Sequence, residues 1–495
     1  MSDNRSSYRT IIKGTAIFGG VQVFNILINI LRGKFVAILL GPAGMGISTL
    51  FSSTTNTISQ FTSFGLNFSA VREISTAKET GDINRLDRTA QVLRTLVFFL
   101  GILAAIIIIL GAPWLSKVAF GNYEHIWGFV ALSVMLFFSA KSAAETTLLQ
   151  GTRSLKCLAK ASIIGSVTGL VSGIPLYYFF GVKGIVPAMI ILALVSYSAN
   201  KYFSKKLQLS HQHVTFKDAF KEGKQMLSLG IVMMAATLIG TVTLYITNVY
   251  IRKHGSLDDI GLYQAATSIT NQYVGLIFTA MSVDYFPRLA AISHDKLKVR
   301  ETVTHQVEIV MLIITPLLIG IIVTAPILIR ILLAKEFLSI APLVRLLGMC
   351  LFFKAFAYPI GYISFSKGDK KAFFWLEGVF GNTKTLIFNI IGYTMGGLIG
   401  LGVSFILSII LYLIVLLIFV KIRYDFTISR KLLLTIMPLF LALSTSLTVF
   451  HIYQESLFSY LVSTIFLVLA SYYSYRMLDE RVDIKDFVLS KIRKK

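Results

Sequence analysis

Residues 397–421 read GLIGLGVSFILSIILYLIVLLIFVK, and no charged side chain occurs in this stretch before Lys421. A continuous apolar run of about 20 residues is the length that an α-helix needs to cross the hydrocarbon core of a bilayer. Inside that core only helices and closed barrels satisfy their own backbone hydrogen bonds. The stretch therefore predicts a membrane-spanning helix and an all-α, polytopic membrane fold.

Similar runs recur along the whole chain of 495 residues, of which 55% are hydrophobic and only 14% are charged. Soluble domains have about 25% charged residues, so the composition also favours a membrane protein. The apolar runs predict about fourteen spanning helices. They centre on residues 11–39, 44–70, 89–111, 125–150, 157–180, 184–207, 226–251, 261–287, 304–333, 340–366, 372–393, 397–421, 431–451 and 456–477.

The positive charges of the loops test this count. With the N-terminus inside, the predicted cytoplasmic segments hold about 35 Lys and Arg residues and the outside loops hold about five, as the positive-inside rule requires. The five are Lys117, Lys183, Arg252, Lys253 and Lys335. A miscounted helix would invert every later loop and scramble this bias. We therefore expect an even number of spans, both termini in the cytoplasm, and a multi-pass protein of the cytoplasmic membrane.

The net charge of +23 could suggest a nucleic-acid partner. However, the basic residues lie between apolar runs and form no continuous patch, so we expect no nucleic acid. Two cysteines, Cys157 and Cys350, provide neither a disulfide framework nor a Cys/His metal cluster, and we expect no metal and no cofactor. The polar start MSDNRSSYRT leads into an apolar segment typical of a retained first helix.

The chain is predicted to contain two six-helix lobes. In the linker between them, Phe216 and Phe220 stand among lysines at i and i+4, which favours a helix on the inner membrane surface. A solvated loop is the alternative. The predicted divisions are an N-terminal lobe (1–207), a cytoplasmic linker (208–225), a C-terminal lobe (226–421), and two further helices with a basic cytoplasmic tail (422–495).

A weak internal repeat supports the two lobes. Residues 44–56 read GMGISTLFSSTTN and residues 259–271 read DIGLYQAATSITN. An offset of about 215 residues aligns Gly46 with Gly261 and Asn56 with Asn271. Because each half contains six helices, the halves would run in the same direction and be related by an axis along the membrane normal.

Polar side chains recur at helical spacing in four of the predicted spans. In the first span, Gln22, Asn25, Asn29 and Arg32 lie on one face. Similar faces carry Asn56, Gln60, Ser63 and Asn67 in the second span, Thr237, Thr241, Tyr245, Asn248 and Arg252 in the seventh, and Gln264, Thr267, Asn271, Gln272 and Asp284 in the eighth. These spans are equivalent in the two lobes, which favours a hydrated cavity between the lobes. The alternative is that these residues join helices by hydrogen bonds.

Ionisable side chains inside the spans are mostly basic. Lys141 and Glu145 lie four residues apart, so the simplest interpretation is that they pair with each other. Arg32 completes the polar face of the first span and has no such partner in sequence. A basic lumen suits an anion, and Arg can hold a phosphate group through two parallel hydrogen bonds. The eleven residues are Arg32, Lys34, Lys141, Glu145, Asp284, Glu308, Arg330, Arg345, Lys354, Glu377 and Lys384.

Three short motifs stand at defined places in this arrangement. LLGPAGMGISTL (39–50) joins the first span to the second, and IGLYQAATSI (260–269) and YFPRLA (285–290) open and close the eighth. Together they resemble the corresponding segments of polysaccharide flippases, the O-antigen translocases. These flippases belong to the multidrug/oligosaccharidyl-lipid/polysaccharide exporter superfamily, which also holds drug extruders and the flippase of the peptidoglycan lipid precursor.

The resemblance implies two lobes around a central cavity that opens alternately to the inside and the outside. It implies an undecaprenyl-pyrophosphate-linked oligosaccharide as substrate, such as an O-antigen unit for lipopolysaccharide biosynthesis, which is passed to polymerase machinery at the outer face. Family members place basic residues of the first two helices in the cavity, and Arg32 and Lys34 match in the first. The second offers only amides and hydroxyls until Arg72. The last two helices resemble the pair that shelters the lipid tail in the peptidoglycan-precursor flippase.

The predicted site has three parts. Pyrophosphate would be bound by Arg32, Lys34, Arg72 and Arg252. Sugar hydroxyls would contact Gln22, Asn25, Asn29, Asn56, Gln60, Asn67, Asn248, Asn271 and Gln272. If a proton or sodium ion is coupled to transport, the candidate carriers are Asp284, Glu145, Glu308 and Glu377, and the membrane potential alone is the alternative.

Two other functional classes predict different features. A drug or cation extruder of the same superfamily would need an acidic, aromatic-rich cavity, whereas the excess charge here is basic. Membrane glycan polymerases and ligases resemble one another in having a large outside loop that carries catalytic groups. All outside loops predicted here are short, and no Ser/His/Asp set stands out. We therefore expect a transporter that works among membrane lipids, not an enzyme.

Overall fold

The structure is a computed structural model that describes residues 2–209 and 214–482, except for the side chains of some residues within the helices. Within these ranges the chain is helical and contains no β-strand. The helices are α1 (Ser2–Thr62), α2 (Leu66–Glu79), α3 (Ile83–Phe120), α4 (Ile126–Gly151), α5 (Leu155–Phe180), α6 (Ile185–Lys205), α7 (Phe216–Glu222), α8 (Lys224–His254), α9 (Leu257–Ala291), α10 (Lys296–Leu332), α11 (Ala341–Ser366), α12 (Lys370–Phe373), α13 (Gly381–Tyr424), α14 (Arg430–Tyr453) and α15 (Leu457–Val482). The all-α fold predicted from the apolar runs is confirmed.

Two of the longest helices are interrupted by glycine. In α1 the break is at Gly41, whose φ of 64° is accessible to glycine without strain, and Pro42 follows it. In α13 the break is at Gly396 and Gly397, and Gly397 has a φ of 54°. Both breaks fall where the sequence predicts one span to end and the next to begin, so each helix has room for two passes.

Nine segments of the described chain are long and apolar enough to cross a membrane, and α8 adds a tenth if its halves, bent by 43°, form one span. Three of the nine contain 40, 51 and 51 residues, about twice the length that one pass requires. They are Val23–Thr62, Leu155–Lys205 and Phe374–Tyr424. The protein is therefore a multi-pass membrane protein, and the number fourteen stays a prediction.

The chain forms two compact units, residues 1–261 and 262–495. In the first unit, α3 packs on α4, α4 and α5 pack on α6, and α1 packs on α5 and α8. A buried cluster that includes Leu66, Ile74, Leu93 and Leu148 joins α2, α3 and α4. The packing of α1 on α5 fixes the side of α1 on which Asn25, Asn29 and Arg32 lie.

In the second unit, α10 packs on α11 and α11 packs on α13. The pair α14–α15 packs on α10 and is attached at both ends by ion pairs, Arg345 to Glu455 and Arg481 to Glu308. The distances are 2.8 Å and 3.2 Å. Large apolar side chains such as Leu110, Met395 and Ile422 are at least three quarters exposed, as expected of surfaces that face lipid.

The predicted linker contains a short helix, α7, whose N-cap Thr215 accepts a hydrogen bond from the backbone of Asp218. Arg88 of α3 donates two hydrogen bonds to Glu222, at 2.9 and 2.7 Å. The predicted helix is thus present and held against α3. Residues 210–213 of the linker and the basic tail from residue 483 onward lie outside the described chain.

Candidate substrate-binding site

A polar cleft of about 360 Å³ lies among α1, α4, α5 and α6 in the first unit. Arg32 and Asn29 enter it from α1, three residues apart on one helical face. Asn29 is exposed and Arg32 is half-buried. The facing helices contribute Gln150, Ser162, Ser166, Ser196 and Asn200. The cleft therefore presents a cation and several hydrogen-bond donors within the spanning region.

A second and larger chamber of about 760 Å³ adjoins the cleft. Thr146, Gln150, Leu192 and Ser196 line both spaces, so we describe them together as the N-unit cleft. Asn67 reaches the larger chamber from α2. Among the described residues that line the two chambers, Arg32 is the one with a charged side chain.

Asn25 lies one turn from Asn29 but has a different role. Its Nδ2 donates to Ser162 Oγ, and its Oδ1 accepts from Ser166 Oγ, both at 2.8 Å. These bonds join α1 to α5, which is the alternative that the sequence left open for the polar faces. The polar face of α1 is thus divided between helix packing at Asn25 and the cleft at Asn29 and Arg32.

The other predicted cations are not brought to the cleft. Lys34 lies two residues from Arg32, about 200° around the helix, and is half-buried on another face. Arg72 is exposed on α2. Arg252 donates from Nη2 to the carbonyl of Phe120 at 3.0 Å, so it binds the last turn of α3. Of the four residues assigned to pyrophosphate, Arg32 is the one that lines the cleft in the described part of the chain.

The remaining predicted amides have several environments. Asn56 is exposed, and Gln60 Nε2 donates to Thr237 Oγ1 of α8. Asn248 is fully buried, and neither Nδ2 nor Oδ1 has a hydrogen-bond partner in the described structure. Gln22, Asn271, Gln272 and Asp284 are on helices, but their side chains lie outside the description.

The three described carboxylates proposed as ion carriers differ in their partners. Glu145 accepts two hydrogen bonds from Arg94, at 3.0 and 2.8 Å, and a third from Ser204. Glu308 is paired with Arg481. Glu377 instead accepts from Tyr412 OH and lines a cavity of about 510 Å³ in the second unit. Of the three, Glu377 is the carboxylate that faces a cavity without a basic side chain bound to it.

The second-unit cavity also contains a buried lysine. Lys384 donates to Ser408 Oγ at 2.9 Å and to Thr385 Oγ1 at 3.3 Å. Lys354, Tyr358 and Tyr362 complete the ionisable part of the lining. Glu377 lies on a short π-helix, Phe374–Phe380, a local distortion that is common at functional sites.

Sequence patterns alone do not identify several of these residues. Arg94 was not among the predicted span cations, and pairs with Glu145 in place of Lys141. The serines Ser162 and Ser166 stand four residues apart and so share a face of α5, which is the one signal that could have placed them opposite α1. Gln150 and Asn200 carry no comparable pattern.

The comparison with known proteins identifies the family. A family model described as "Polysaccharide biosynthesis protein" matches residues 35–342, which is more than half of the chain. The chain belongs to this family. The resemblance inferred from the three motifs is therefore confirmed at the level of the polysaccharide biosynthesis proteins.

Two curated relatives are similar to this polysaccharide biosynthesis protein. The lipid III flippases of Escherichia coli (strain K12) and Shigella flexneri are each 26% identical to it over 284 residues. The match covers 56% of this chain and 66% of each relative, just under two thirds of their length.

Solved structures show the same fold. The lipid II flippase MurJ in an inward closed conformation matches with a TM-score of 0.68 at 15% identity, over 94% of this chain and 99% of that one. An inward-facing multidrug resistance MATE family transporter of the MOP superfamily also has a TM-score of 0.68, at 18% identity, over 81% and 94%. At these identities the likeness shows the fold alone, and this polysaccharide biosynthesis protein shares the fold of these two transporters.

Proposed function

We propose that this protein is a flippase that moves a polyprenyl-pyrophosphate-linked oligosaccharide from the inner to the outer leaflet of the cytoplasmic membrane by alternating access. The observation that carries the proposal is the N-unit cleft, where Arg32 and Asn29 face Gln150 and Asn200. The match to two lipid III flippases supports it. The finer proposal is an undecaprenyl carrier with an O-antigen or similar surface-glycan unit, passed on to a polymerase.

The physical task explains why such a cleft is needed. The lipid tail can stay in the hydrocarbon throughout, and only the sugar-pyrophosphate head must cross. Each hydroxyl moved into a bare apolar medium without a hydrogen bond costs several kcal/mol, and an unpaired charge costs far more. Amide and hydroxyl groups that replace water remove most of this cost. The chamber volumes, 360 and 760 Å³, are in the usual range of small-molecule sites.

Arg32 is the residue to which we assign the phosphate contact. Its guanidinium can bind a phosphate group through two parallel hydrogen bonds, which lysine cannot do. The geometry gives weaker support to Lys34 and Arg72, and Arg252 is used in part by the Phe120 carbonyl. We assign the contacts with sugar hydroxyls to Asn29, Asn67, Gln150 and Asn200. Asn25 is assigned to helix packing.

The membrane potential is the first candidate for the driving force. Moving one charge through 100 mV is worth about 2.3 kcal/mol, so an inside-negative potential favours outward movement of an anion. Ion antiport is the alternative. In that case Glu377 is the carrier that the geometry favours, because Glu145 and Glu308 are each bound to an arginine.

A multidrug or cation extruder is the second candidate, since a MATE transporter shares the fold. Its cargo would be a cation. The charged side chain that lines the N-unit cleft is Arg32, which repels cations and attracts anions. This charge is the observation that ranks the extruder below the flippase.

The proposal is tested by Arg32→Ala and Arg32→Lys in a strain whose surface glycan depends on this gene. Loss of a charge-assisted contact should lower glycan export about tenfold or more, with lipid-linked oligosaccharide accumulating on the inner leaflet. Lys should recover part of the activity because it keeps the charge. Arg330→Ala, at an exposed arginine of α10, is the matched control.

Normal export by Arg32→Ala at a normal protein level would remove Arg32 from the mechanism. A second measurement separates the two classes of transporter. If the purified protein in proteoliposomes extrudes a lipophilic cation and does not translocate a fluorescent lipid-linked oligosaccharide, the extruder is correct and the flippase is wrong.

A further inference from the structure

Lys141 of α4 lies in a cage of aromatic rings on the first unit. Its Nζ is 4.8 Å from the ring centre of Tyr197, 5.2 Å from that of Phe137, 5.9 Å from that of Phe98 and 6.0 Å from that of Phe138. Such distances allow each ring to attract the ammonium group. Rings stabilise a cation only in part, because they carry no net charge.

Among the residues that the structure describes, no carboxylate pairs with Lys141 in the cage. Glu145, one turn away on α4, is bound by Arg94 and Ser204. A second cation, Lys201, lies over the same Tyr197 ring at 5.4 Å. Because both distances are measured to one ring centre, the two ammonium groups are at most about 10 Å apart. Neither lysine has an acidic partner within the described residues, so the pair is suited to bind an anion.

The depth of the cage follows from the residues at its edge. Glu145 is hydrogen-bonded to Ser204, which is one residue before the end of α6 and marks the end of the span. Lys141 precedes Glu145 by four residues, or about 6 Å along α4. A lysine side chain can reach the interface from that depth. The loop charges predict this end of the helices to be cytoplasmic.

The cage is separate from the N-unit cleft. Ser139 and Ala143 of α4 line the cleft, and Lys141 stands two residues from each, about 200° around the helix. The rings beside Lys141 continue towards α7 through Phe99, whose ring centre is 4.5 Å from that of Phe216. Phe99, Phe216 and Phe220 are exposed. These exposed rings extend the aromatic surface from the cage to α7.

We propose that Lys141 and Lys201, with the rings of Phe98, Phe137, Phe138 and Tyr197, bind the headgroup of an anionic glycerophospholipid in the inner leaflet. The phosphodiester oxygens accept hydrogen bonds from the two ammonium groups, and the acyl chains lie along the exposed rings. Basic pockets between spanning helices on the cytoplasmic side favour such lipids. A lipid-linked oligosaccharide fits less well, because the amides that would meet its sugars line the other side of α4.

The test uses the purified full-length protein in a zwitterionic detergent, titrated with phosphatidylglycerol, cardiolipin or phosphatidylcholine and followed by native mass spectrometry. The wild type should bind the two anionic lipids in preference to phosphatidylcholine. Lys141→Gln and Lys201→Gln should each weaken that binding about fivefold, and the double variant should weaken it about 25-fold. The control is Lys183→Gln with Lys335→Gln, which removes the same charge at the opposite end of the helices.

Three results would overturn the proposal. One is equal binding of phosphatidylglycerol by the wild type and the double variant. Another is displacement of phosphatidylglycerol by an equal amount of undecaprenyl pyrophosphate, which would assign the cage to the substrate. If the Gln variants unfold, Lys141→Arg with Lys201→Arg decides, because Arg keeps both the charge and the contact with the rings. The third result that would overturn the proposal is a folded Lys141→Arg, Lys201→Arg variant that does not bind anionic lipid.

Discussion

Gly46 of α1 and Gly261 of α9 pack backbone against backbone in a reciprocal contact. A Cβ on Gly46 would lie within 3.0 Å of the carbonyl oxygen of Leu257, and a Cβ on Gly261 would lie equally close to that of Pro42. Each glycine thus faces the carbonyl four residues before the other. These are the two glycines that the internal repeat aligns, and each packs against the helical turn that precedes the other.

Alanine at either glycine should therefore be poorly tolerated. Gly46→Ala and Gly261→Ala each place a methyl group where real Cβ atoms essentially never lie, against backbone that cannot rotate away. We expect a fall in thermal stability in detergent and a fall in export, because the backbones of α1 and α9 must shift apart to make room for the methyl group. Gly33→Ala is the control, since nothing lies within 4 Å of its Cβ position. Equal behaviour of the three variants would contradict the contact.

Asn25 and Asn29 should separate stability from transport. Asn25→Ala removes two hydrogen bonds between α1 and α5 and should cost about 1 kcal/mol of stability, the usual worth of such bonds in membrane proteins. Asn29→Ala removes a side chain that is exposed in the cleft, so stability should change by less than about 0.5 kcal/mol while export falls. Unfolding in detergent and surface-glycan yield measure the two effects. A stability loss confined to Asn29→Ala would reverse the assignment.

The sequence predicts the helical fold because apolar runs and loop charges are local signals. It also places the breaks at Gly41 and Gly397, because glycine and proline mark helix ends within a few residues. Periodicity places Asn29 and Arg32 on one face, but it cannot state what that face meets. The cleft forms only when α4, α5 and α6 pack against α1, and these contacts join residues that are more than 100 positions apart in the sequence.

Ion pairs show the same limit. Spacing along one helix made Lys141 the natural partner of Glu145, whereas the fold brings Arg94 of α3 to it. A local pattern can only propose partners on the same helix. Packing between helices decides that Arg94 pairs with Glu145 and that Lys141 lies among four aromatic rings. The spacing of residues along one helix carries no information about that packing.

The clamp between Arg345 and Glu455 should weaken in acid. Arg345 donates two hydrogen bonds to Glu455, at 2.8 and 3.0 Å, and Tyr460 donates a third. Burial alone would raise the pKa of Glu455, but these bonds and the positive charge of Arg345 hold it below its ordinary value of 4.5. A carboxyl group whose pKa is lowered by folding stabilises the folded protein at pH values above its unfolded pKa. That stabilisation is lost as the pH falls through the pKa of the folded protein.

We therefore expect α14–α15 to loosen as the pH falls below 4.5. Arg345→Ala should loosen it at all pH values, and Glu455→Gln should remove the acid step. Limited proteolysis of the segment between α14 and α15 at graded pH measures the effect. The exposed pair Arg476–Glu480 on α15 provides the control variant Glu480→Gln, which should leave the pH profile unchanged. A profile for Glu455→Gln identical to that of the wild type would contradict the clamp.

The pair Arg94–Glu145 should behave as a structural element and not as an ion carrier. The side chains are 19% and 7% exposed, and removing one partner of a buried pair leaves an uncompensated charge at a cost of about 3–5 kcal/mol. Arg94→Met and Glu145→Leu should each destabilise strongly. The double variant should recover most of the loss, because an apolar pair replaces a buried ionic one. Ser204 keeps the backbone carbonyl of Lys201 as an acceptor.

A double-mutant cycle in detergent measures the coupling between Arg94 and Glu145, and export by the double variant decides between the two roles. If Glu145 carries a coupled ion, the double variant will be stable and inactive. If the pair is structural, it will be stable and active, since no titratable group of the transport path has been lost. The exposed pair Arg153–Glu79, with side chains 72% and 63% exposed, should show a coupling near zero in the same cycle.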